Sequence, residues 1–530
     1  MRTVRDATFD VFRCRGMTTL FSNPGSTEVP FLAGLPEDLR FVLALHEGSV
    51  VGIATGYALG RGEPSFVLLH TTPGLGNAVS ALATARVNRA PLVVAVGQQD
   101  RRHLAHEPFL AGKLAGLAGE YPVWVDQPVR PQDVPGALER AWHEAQTRRG
   151  PALVIVPMDD WQAPSPEPHE YAAPDRLVRA AAADAAAVEE LAQLLERAES
   201  PALVAGAGAD DPETWAALAA LAERLAAPVW QEPFGARAGF PQTHPLYAGD
   251  LSADRARLRE ALSGHDVVLV VGAPAFRQYA YVEGPFVEEG TVVAVVTEDP
   301  AEAQRSRVQL AVLAPHASVC AALAERLPQR DAEPPASRPA PDPPEPGDAL
   351  RAGHVLAELA ARLPSDAIVL EEAPSNRPEL LARLPARDNL GLISPAMGGL
   401  GFAMPAAIGL RLALPSRPVV AIIGDGSSLY AIQSLWSAAT YGVGPLFVIL
   451  KNGGYAIMDR LAEHEGGASA WPNVDVDIAG LAQVFGCDAR RIADLDTLRE
   501  VLDEVVPDLA DRNEPLLLEV TVEPDAAFLP

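Results

Sequence analysis

Two short apolar runs, residues 420–423 and 446–450, each give way to a polar group set beside glycine, and this pairing constrains the chain more than any other feature. The first run leads into Gly424-Asp425-Gly426-Ser427-Ser428. The second leads into Lys451-Asn452-Gly453-Gly454-Tyr455, with 24 residues between Gly426 and Lys451. Uninterrupted apolar runs of this length read as strands buried on both faces, as in a parallel sheet covered by helices. Open parallel sheets bind ligands beyond the carboxyl ends of their strands, so Asp425 and Asn452 are expected at neighbouring strand ends. Their two hard oxygen donors suit Mg²⁺, which takes few protein ligands and fills its octahedron with water and phosphate oxygens. A diphosphate is the matching third party. The glycines let backbone approach it, and Ser427 and Ser428 are expected to open a helix whose first N–H groups favour an anion.

A second constellation lies in the first 110 residues. Asn23-Pro24-Gly25-Ser26 supplies turn chemistry after the strand-like Thr18-Thr-Leu-Phe21. Glu47 follows the apolar run 41–45 and begins a segment with apolar residues at 50, 53, 54, 57 and 58, which is helical spacing. His70 ends a third run, 66–69, and Pro73-Gly-Leu-Gly-Asn77 is expected to form a glycine-rich turn after it. Three strand ends thus offer a hydroxyl, a carboxylate and an imidazole.

At 530 residues the chain is long enough for about three domains of roughly 150 residues each. Strand-like runs alternate with alanine-rich helical stretches throughout, the βαβ pattern of doubly wound parallel sheets. The expected division is 1–162, 178–327 and 348–526, with a proline-rich linker at 328–347; a shorter proline-rich passage spans 163–174. With 42 basic and 69 acidic residues the net charge is −27, which argues against a nucleic-acid footprint. Three scattered cysteines, Cys14, Cys320 and Cys487, form no disulfide framework and suggest a reducing, cytoplasmic setting. No signal-peptide core and no membrane-length apolar window is apparent.

Taken together, these stretches resemble the benzoylformate decarboxylase branch of the thiamin-diphosphate enzymes, a group that includes acetolactate synthase and pyruvate decarboxylase. The similarity is carried by Ser22-Asn-Pro-Gly-Ser-Thr-Glu28, by residues 43–54, by Leu69-His70, Gly97-Gln-Gln99 and Val271-Gly-Ala-Pro-Ala-Phe-Arg277, and by Gly398-Gly-Leu-Gly401 with residues 402–409. The resemblance implies three α/β domains: pyrimidine-binding, central and diphosphate-binding. It implies thiamin diphosphate and Mg²⁺ as cofactors and a 2-oxo acid, most readily an aromatic one, as substrate. Carbon dioxide and an aldehyde would be released, or the decarboxylated fragment passed to a second aldehyde. Glu47 would act on the pyrimidine, His70 on protons of the reacting substrate, and Ser26 on its carboxylate or carbonyl. The Gly398 carbonyl and Leu400 would hold the cofactor's bend; Gly424, Gly426, Ser427, Ser428, Ser375 and Tyr455 would meet its diphosphate. Asp425, Asn452 and the Gly454 carbonyl would hold the metal, and Pro24, Phe109, Leu110, Met458 and Leu461 would line the substrate pocket. Because the pyrimidine and metal halves come from different subunits in this family, a homodimer or a dimer of dimers is expected.

The departures are informative. Relatives carry a second active-site histidine where this chain has Tyr279, and a phenol with a pKa near 10 is a poorer acid at neutral pH than an imidazole near 6.5. Slower protonation of the decarboxylated fragment would favour carboligation; His103 and His106 are the other candidates for the missing imidazole. Lys451 replaces the first residue of an Asn-Asn pair without removing a metal ligand. In the middle segment Gly206-Ala-Gly208 follows a strand but lacks the third glycine of a dinucleotide fingerprint, so no flavin is expected there. A dedicated acyloin-forming enzyme is the alternative on the same fold; a non-catalytic paralogue would be marked by loss of Glu47 or Asp425, and both are present.

Overall fold

The computed structural model describes residues 1–165, 182–332, 338–339, 341–342, 349–468 and 471–524, so the two proline-rich passages expected as linkers fall largely outside the described residues. The described residues form three six-stranded sheets. The first contains β1 (Thr19–Asn23), β2 (Arg40–Leu43), β3 (Ser65–Leu69), β4 (Leu92–Gln98), β5 (Trp124–Asp126) and β6 (Pro151–Pro157), in the order 2-1-3-4-6-5. The second contains β7 (Pro201–Ala205), β8 (Val229–Gln231), β9 (Tyr247–Asp250), β10 (Val267–Val271), β11 (Val292–Thr297) and β12 (Leu310–Leu313), in the order 12-11-10-7-8-9. The third contains β13 (Ile368–Glu372), β14 (Leu392–Ile393), β15 (Val419–Gly424), β16 (Leu446–Lys451), β17 (Asp488–Ile492) and β18 (Leu516–Thr521), in the order 14-13-15-16-18-17.

Every paired strand is parallel to its neighbour. The central strands earn that position by composition. Val267-Val-Leu-Val-Val271 is buried along its whole length, as β-branched side chains on a strand covered by helices on both faces should be. Each sheet winds in both directions from one point: β1/β3, β7/β10 and β13/β15. Such switch points open a crevice between the carboxyl ends of two strands, where ligands bind in this architecture.

The first and third sheets share one apolar core within the chain, in which Phe21, Ile53 and Leu69 pack with Ile408, Ile423 and Ile449. The seam is a pair of helices, Glu47–Arg61 and Ala403–Ala413, in close contact. Glycines make that approach possible. A Cβ added at Gly56 would stand 2.0 Å from the Ala406 carbonyl oxygen, and one at Gly409 1.9 Å from that of Ile53. The second sheet buries its own separate cores.

Candidate active site

At the β1/β3 switch point, Asn23 ends one strand in register with Leu69 of the other. Glu47 opens the Glu47–Arg61 helix, where the exposed N–H groups of the first turn favour a carboxylate. Its side chain is only partly reached by solvent and is gripped on both oxygens: Asn23 Nδ2 donates to Oε1 at 3.2 Å and Asn77 Nδ2 to Oε2 at 3.0 Å. Asn77 arrives there because residues 73–77 lie inside a helix, Thr71–Val87, and do not form the turn expected from their glycines. Pro73 falls in that helix's first turn, where its missing N–H costs no hydrogen bond, and Gly74 is buried against the His70 and Glu47 side chains.

His70 precedes this helix in extended conformation. Its Nδ1 lies 2.9 Å from Glu28 Oε2 and 2.9 Å from Thr27 Oγ1. Neighbouring Pro24 and Ser26 are exposed on the loop after β1.

The third sheet brings Asp425 and Asn452 to the ends of paired strands, with Gly424 opposite Leu450. Asp425 is buried, and its oxygens accept from the Gly426 N–H at 2.8 Å and the Gly453 N–H at 2.7 Å. Burial pushes its carboxyl above the usual 3.8, against these amides and the charge of Lys451. Asn452 Oδ1 accepts from the Gly454 N–H at 3.0 Å. Lys451 turns the other way, its Nζ donating to the Val476 carbonyl at 3.0 Å, so its replacement of an asparagine leaves the loop's oxygens in place. The helix expected at Ser427 is a single turn, Asp425–Ser428, and the longer helix starts at Ser434; the Ser428 hydroxyl folds back onto the Asp425 carbonyl at 2.7 Å.

Beside this loop lies a cavity of about 310 Å³ lined by Ser375, Asn376, Asn452, Gly453, Arg460 and Asn473 among others. Ser375 Oγ accepts from the Ile457 N–H at 3.1 Å. Gly398 has φ +67° and open space where a Cβ would stand; Gly426 has only the Tyr455 ring within reach, at 3.9 Å. The turn that carries Gly398 and Leu400 is anchored by Glu372, whose carboxylate accepts N–H groups from Gly401, Phe402 and Ala403 at 2.6, 2.8 and 2.6 Å. Desolvation pushes this fully buried carboxyl up to about 7 in spite of those bonds. Oxygen donors at Asp425 and Asn452, with glycine backbone open to approach, fit a diphosphate held through a divalent cation.

Ser26, Glu47 and His70 are absent from the lining of the 310 Å³ cavity. Phe109 is 87 % exposed, Leu110 beside it is half-buried, and Met458 and Leu461 lie on the Ala456–His464 helix with Met458 exposed. His103 and His106 sit exposed on a 3₁₀ turn, Arg101–His106. Tyr279 is 70 % exposed, its ring meeting the edge of Phe234 at 6.0 Å. At the middle switch point the glycines face protein: a Cβ at Gly206 would stand 2.4 Å from the Ala273 Cβ, and one at Gly272 2.5 Å from the Ala209 nitrogen. Sequence reasoning missed Asn23, Asn77, Thr27 and Glu28 as partners of the site. Three of the four stand within five residues of Ser26 or His70 in a turn and a strand end, positions where polar residues serve backbone or site rather than core.

Family models described as thiamine pyrophosphate enzyme domains match residues 2–113 (N-terminal TPP binding domain), 188–323 (central domain) and 380–520 (C-terminal TPP binding domain). A benzoylformate decarboxylase of Pseudomonas aeruginosa is 39 % identical over 535 residues, covering 99 % of this chain and 100 % of the relative. The chain belongs to the benzoylformate decarboxylase-like thiamin-diphosphate enzymes. Solved structures of this family superpose over the whole chain. A thiamine diphosphate-dependent 4-hydroxybenzoylformate decarboxylase of Rhodococcus jostii gives a TM-score of 0.94 at 36 % identity, covering 99 % of this chain and 100 % of that one. The benzoylformate decarboxylase of Polynucleobacter necessarius gives 0.95 at 33 % identity, with 100 % of both chains covered. The three-sheet α/β architecture is therefore that of the thiamin-diphosphate enzymes, and thiamin diphosphate is its cofactor. Among the described residues no helix is long and apolar enough to cross a membrane.

Proposed function

We propose that this chain catalyses the thiamin-diphosphate- and Mg²⁺-dependent, non-oxidative decarboxylation of an aromatic 2-oxo acid of the benzoylformate class, releasing CO₂ and an aldehyde. The observation that carries the reading is that the two outer switch points end in groups suited to opposite ends of one cofactor, Glu47 on the first sheet and Asp425 with Asn452 on the third. The substrate class is supported by relatives that act on benzoylformate and 4-hydroxybenzoylformate.

When bound, thiamin diphosphate supplies the electron sink for the pair left on carbon as the carboxylate departs as CO₂. Asp425, Asn452 and the Gly454 carbonyl would hold Mg²⁺, while Gly424, Gly426, Ser427, Ser428, Ser375 and Tyr455 would surround the diphosphate. Leu400 and the Gly398 carbonyl would set the bend between the two rings. Glu47 would hold a proton against the pyrimidine N1′, and the Asn23 and Asn77 amides keep its two oxygens in a fixed plane. His70 would give and take protons at the reacting substrate, work typically worth about 10²–10⁴ in rate. The Ser26 hydroxyl would orient the substrate carboxylate; Pro24, Phe109, Leu110, Met458 and Leu461 would exclude water around its ring.

The exposed Phe109, and a metal-loop cavity that Glu47 and His70 do not line, support an active form in which the first domain of one chain faces the third domain of another. We infer a homodimer pairing into a tetramer, working in the cytoplasm on small molecules. Carboligation is a second reading, favoured by Tyr279, an exposed phenol at the position where the family resemblance implies an imidazole.

The test is CO₂ release from a panel of 2-oxo acids, benzoylformate foremost, with thiamin diphosphate and Mg²⁺, and with products identified in the presence and absence of benzaldehyde. Benzaldehyde from benzoylformate is the expected outcome. Acyloin accumulation in its place moves the assignment to a carboligase, and no CO₂ from any acid overturns both.

A further inference from the structure

We propose that Glu28, with Thr27, is a positioning residue that holds His70 in the tautomer protonated at Nδ1, leaving Nε2 as the nitrogen that exchanges protons at the reacting substrate. This deepens the reading of His70 given above and rests on it.

Glu28 is fully buried, as is Thr27. Its carboxylate collects hydrogen-bond donors from three directions: the Gly25 N–H at 2.8 Å on Oε2, the Thr27 hydroxyl on Oε1, and His70 Nδ1 at 2.9 Å on Oε2. The Thr27 proton is spent on Glu28, so the lone pairs of Thr27 Oγ1, 2.9 Å from Nδ1, also face that nitrogen as acceptors. Both neighbours of Nδ1 therefore accept, and only a protonated Nδ1 satisfies them. A histidine's working nitrogen is set by the bond its other nitrogen makes.

The surroundings enforce this arrangement sterically. A Cβ at Gly97 would stand 1.8 Å from Glu28 Oε1 and 2.5 Å from Thr27 Oγ1. One at Gly25 would stand 2.4 Å from His70 Nδ1. Two glycines thus make room for the carboxylate and the ring, which gives Gly97-Gln-Gln99 a role that the sequence left blank.

Two measurements on Glu28→Gln test the proposal. Gln brings an amide donor into a cluster whose other members already donate, so the Nδ1–H form loses its preference. In ¹⁵N-histidine spectra of the cofactor-free protein, the wild type is expected to show His70 protonated at Nδ1 with an unprotonated Nε2, and Glu28→Gln a mixture. In the loaded enzyme, kcat is expected to fall about ten- to a hundred-fold, the size of loss seen when a metal-bound histidine loses the carboxylate that orients it, with KM and thiamin diphosphate affinity unchanged. In a His70→Ala background the same substitution is expected to cost nothing more. An unchanged tautomer, or an equal further loss in the His70→Ala background, overturns the role of Glu28. Full turnover by His70→Ala itself overturns the underlying assignment of His70, and is distinguishable because the Glu28-dependent tautomer then persists without consequence for rate.

Discussion

The middle and third sheets are both parallel and doubly wound, though in different strand orders, and both carry glycines just beyond their switch points, yet those glycines meet opposite surroundings. At the middle sheet, Gly206, Gly239 and Gly272 are pressed against the chain itself, with added Cβ atoms 2.3 to 2.5 Å from protein atoms. At the third sheet, the nearest atoms to Cβ positions at Gly424 and Gly426 are 3.6 and 3.9 Å away, and at Gly398 and Gly453 there is nothing within 4 Å. One set of glycines closes a crevice with backbone; the other keeps a crevice open. Topology supplies a possible ligand site, and what fills it decides whether there is one.

That contrast can be broken by adding a methyl group to each side. Gly272→Ala places a Cβ 2.5 Å from backbone at φ +69°, so overpacking and left-handed strain together are expected to remove about 3 kcal/mol of stability, read as a lowered thermal midpoint. Gly426→Ala meets only an aromatic edge, so the fold is expected to change by about 0.5 kcal/mol or less while thiamin diphosphate affinity falls about tenfold, measured by calorimetry. Equal effects on stability at the two sites would erase the distinction.

A smaller effect sharpens it through Glu372, which anchors the open turn. Burial raises this carboxyl from 4.5 to about 7, so the folded chain binds its proton more tightly than the unfolded one. Its contribution to stability is full below about pH 4.5 and is lost as pH rises through about 7. Glu372→Gln, which cannot ionise, is therefore expected to gain on the wild type in thermal midpoint across that window. Parallel pH curves for the two proteins would remove the assignment.

Much of this was readable from the chain. Runs such as Val267-Val-Leu-Val-Val271 and the two runs ahead of Asp425 and Asn452 declared buried parallel strands, because their lack of alternation admits few other structures. The pairing of Gly424 with Leu450 then followed from the strands being neighbours. The helix at 71–87 was hidden because Pro73, Gly74 and Gly76 have turn propensities that tertiary packing overrides. Asn77 was lost with it, since only a helix carries that amide back to Glu47. Glu28 lay in plain view beside Ser26, but a carboxylate in a loop reads as solvated until the structure buries it against His70. The closed middle crevice was equally invisible, because a glycine shows that backbone can approach something without showing what.

The most direct test of the central claim is to measure CO₂ release from benzoylformate and thiamin diphosphate affinity side by side in the wild type and in Glu47→Gln, with Mg²⁺ present. A carboxylate that acts on the bound cofactor predicts turnover lost by about 10² or more with binding retained. Undiminished CO₂ release by Glu47→Gln would contradict it.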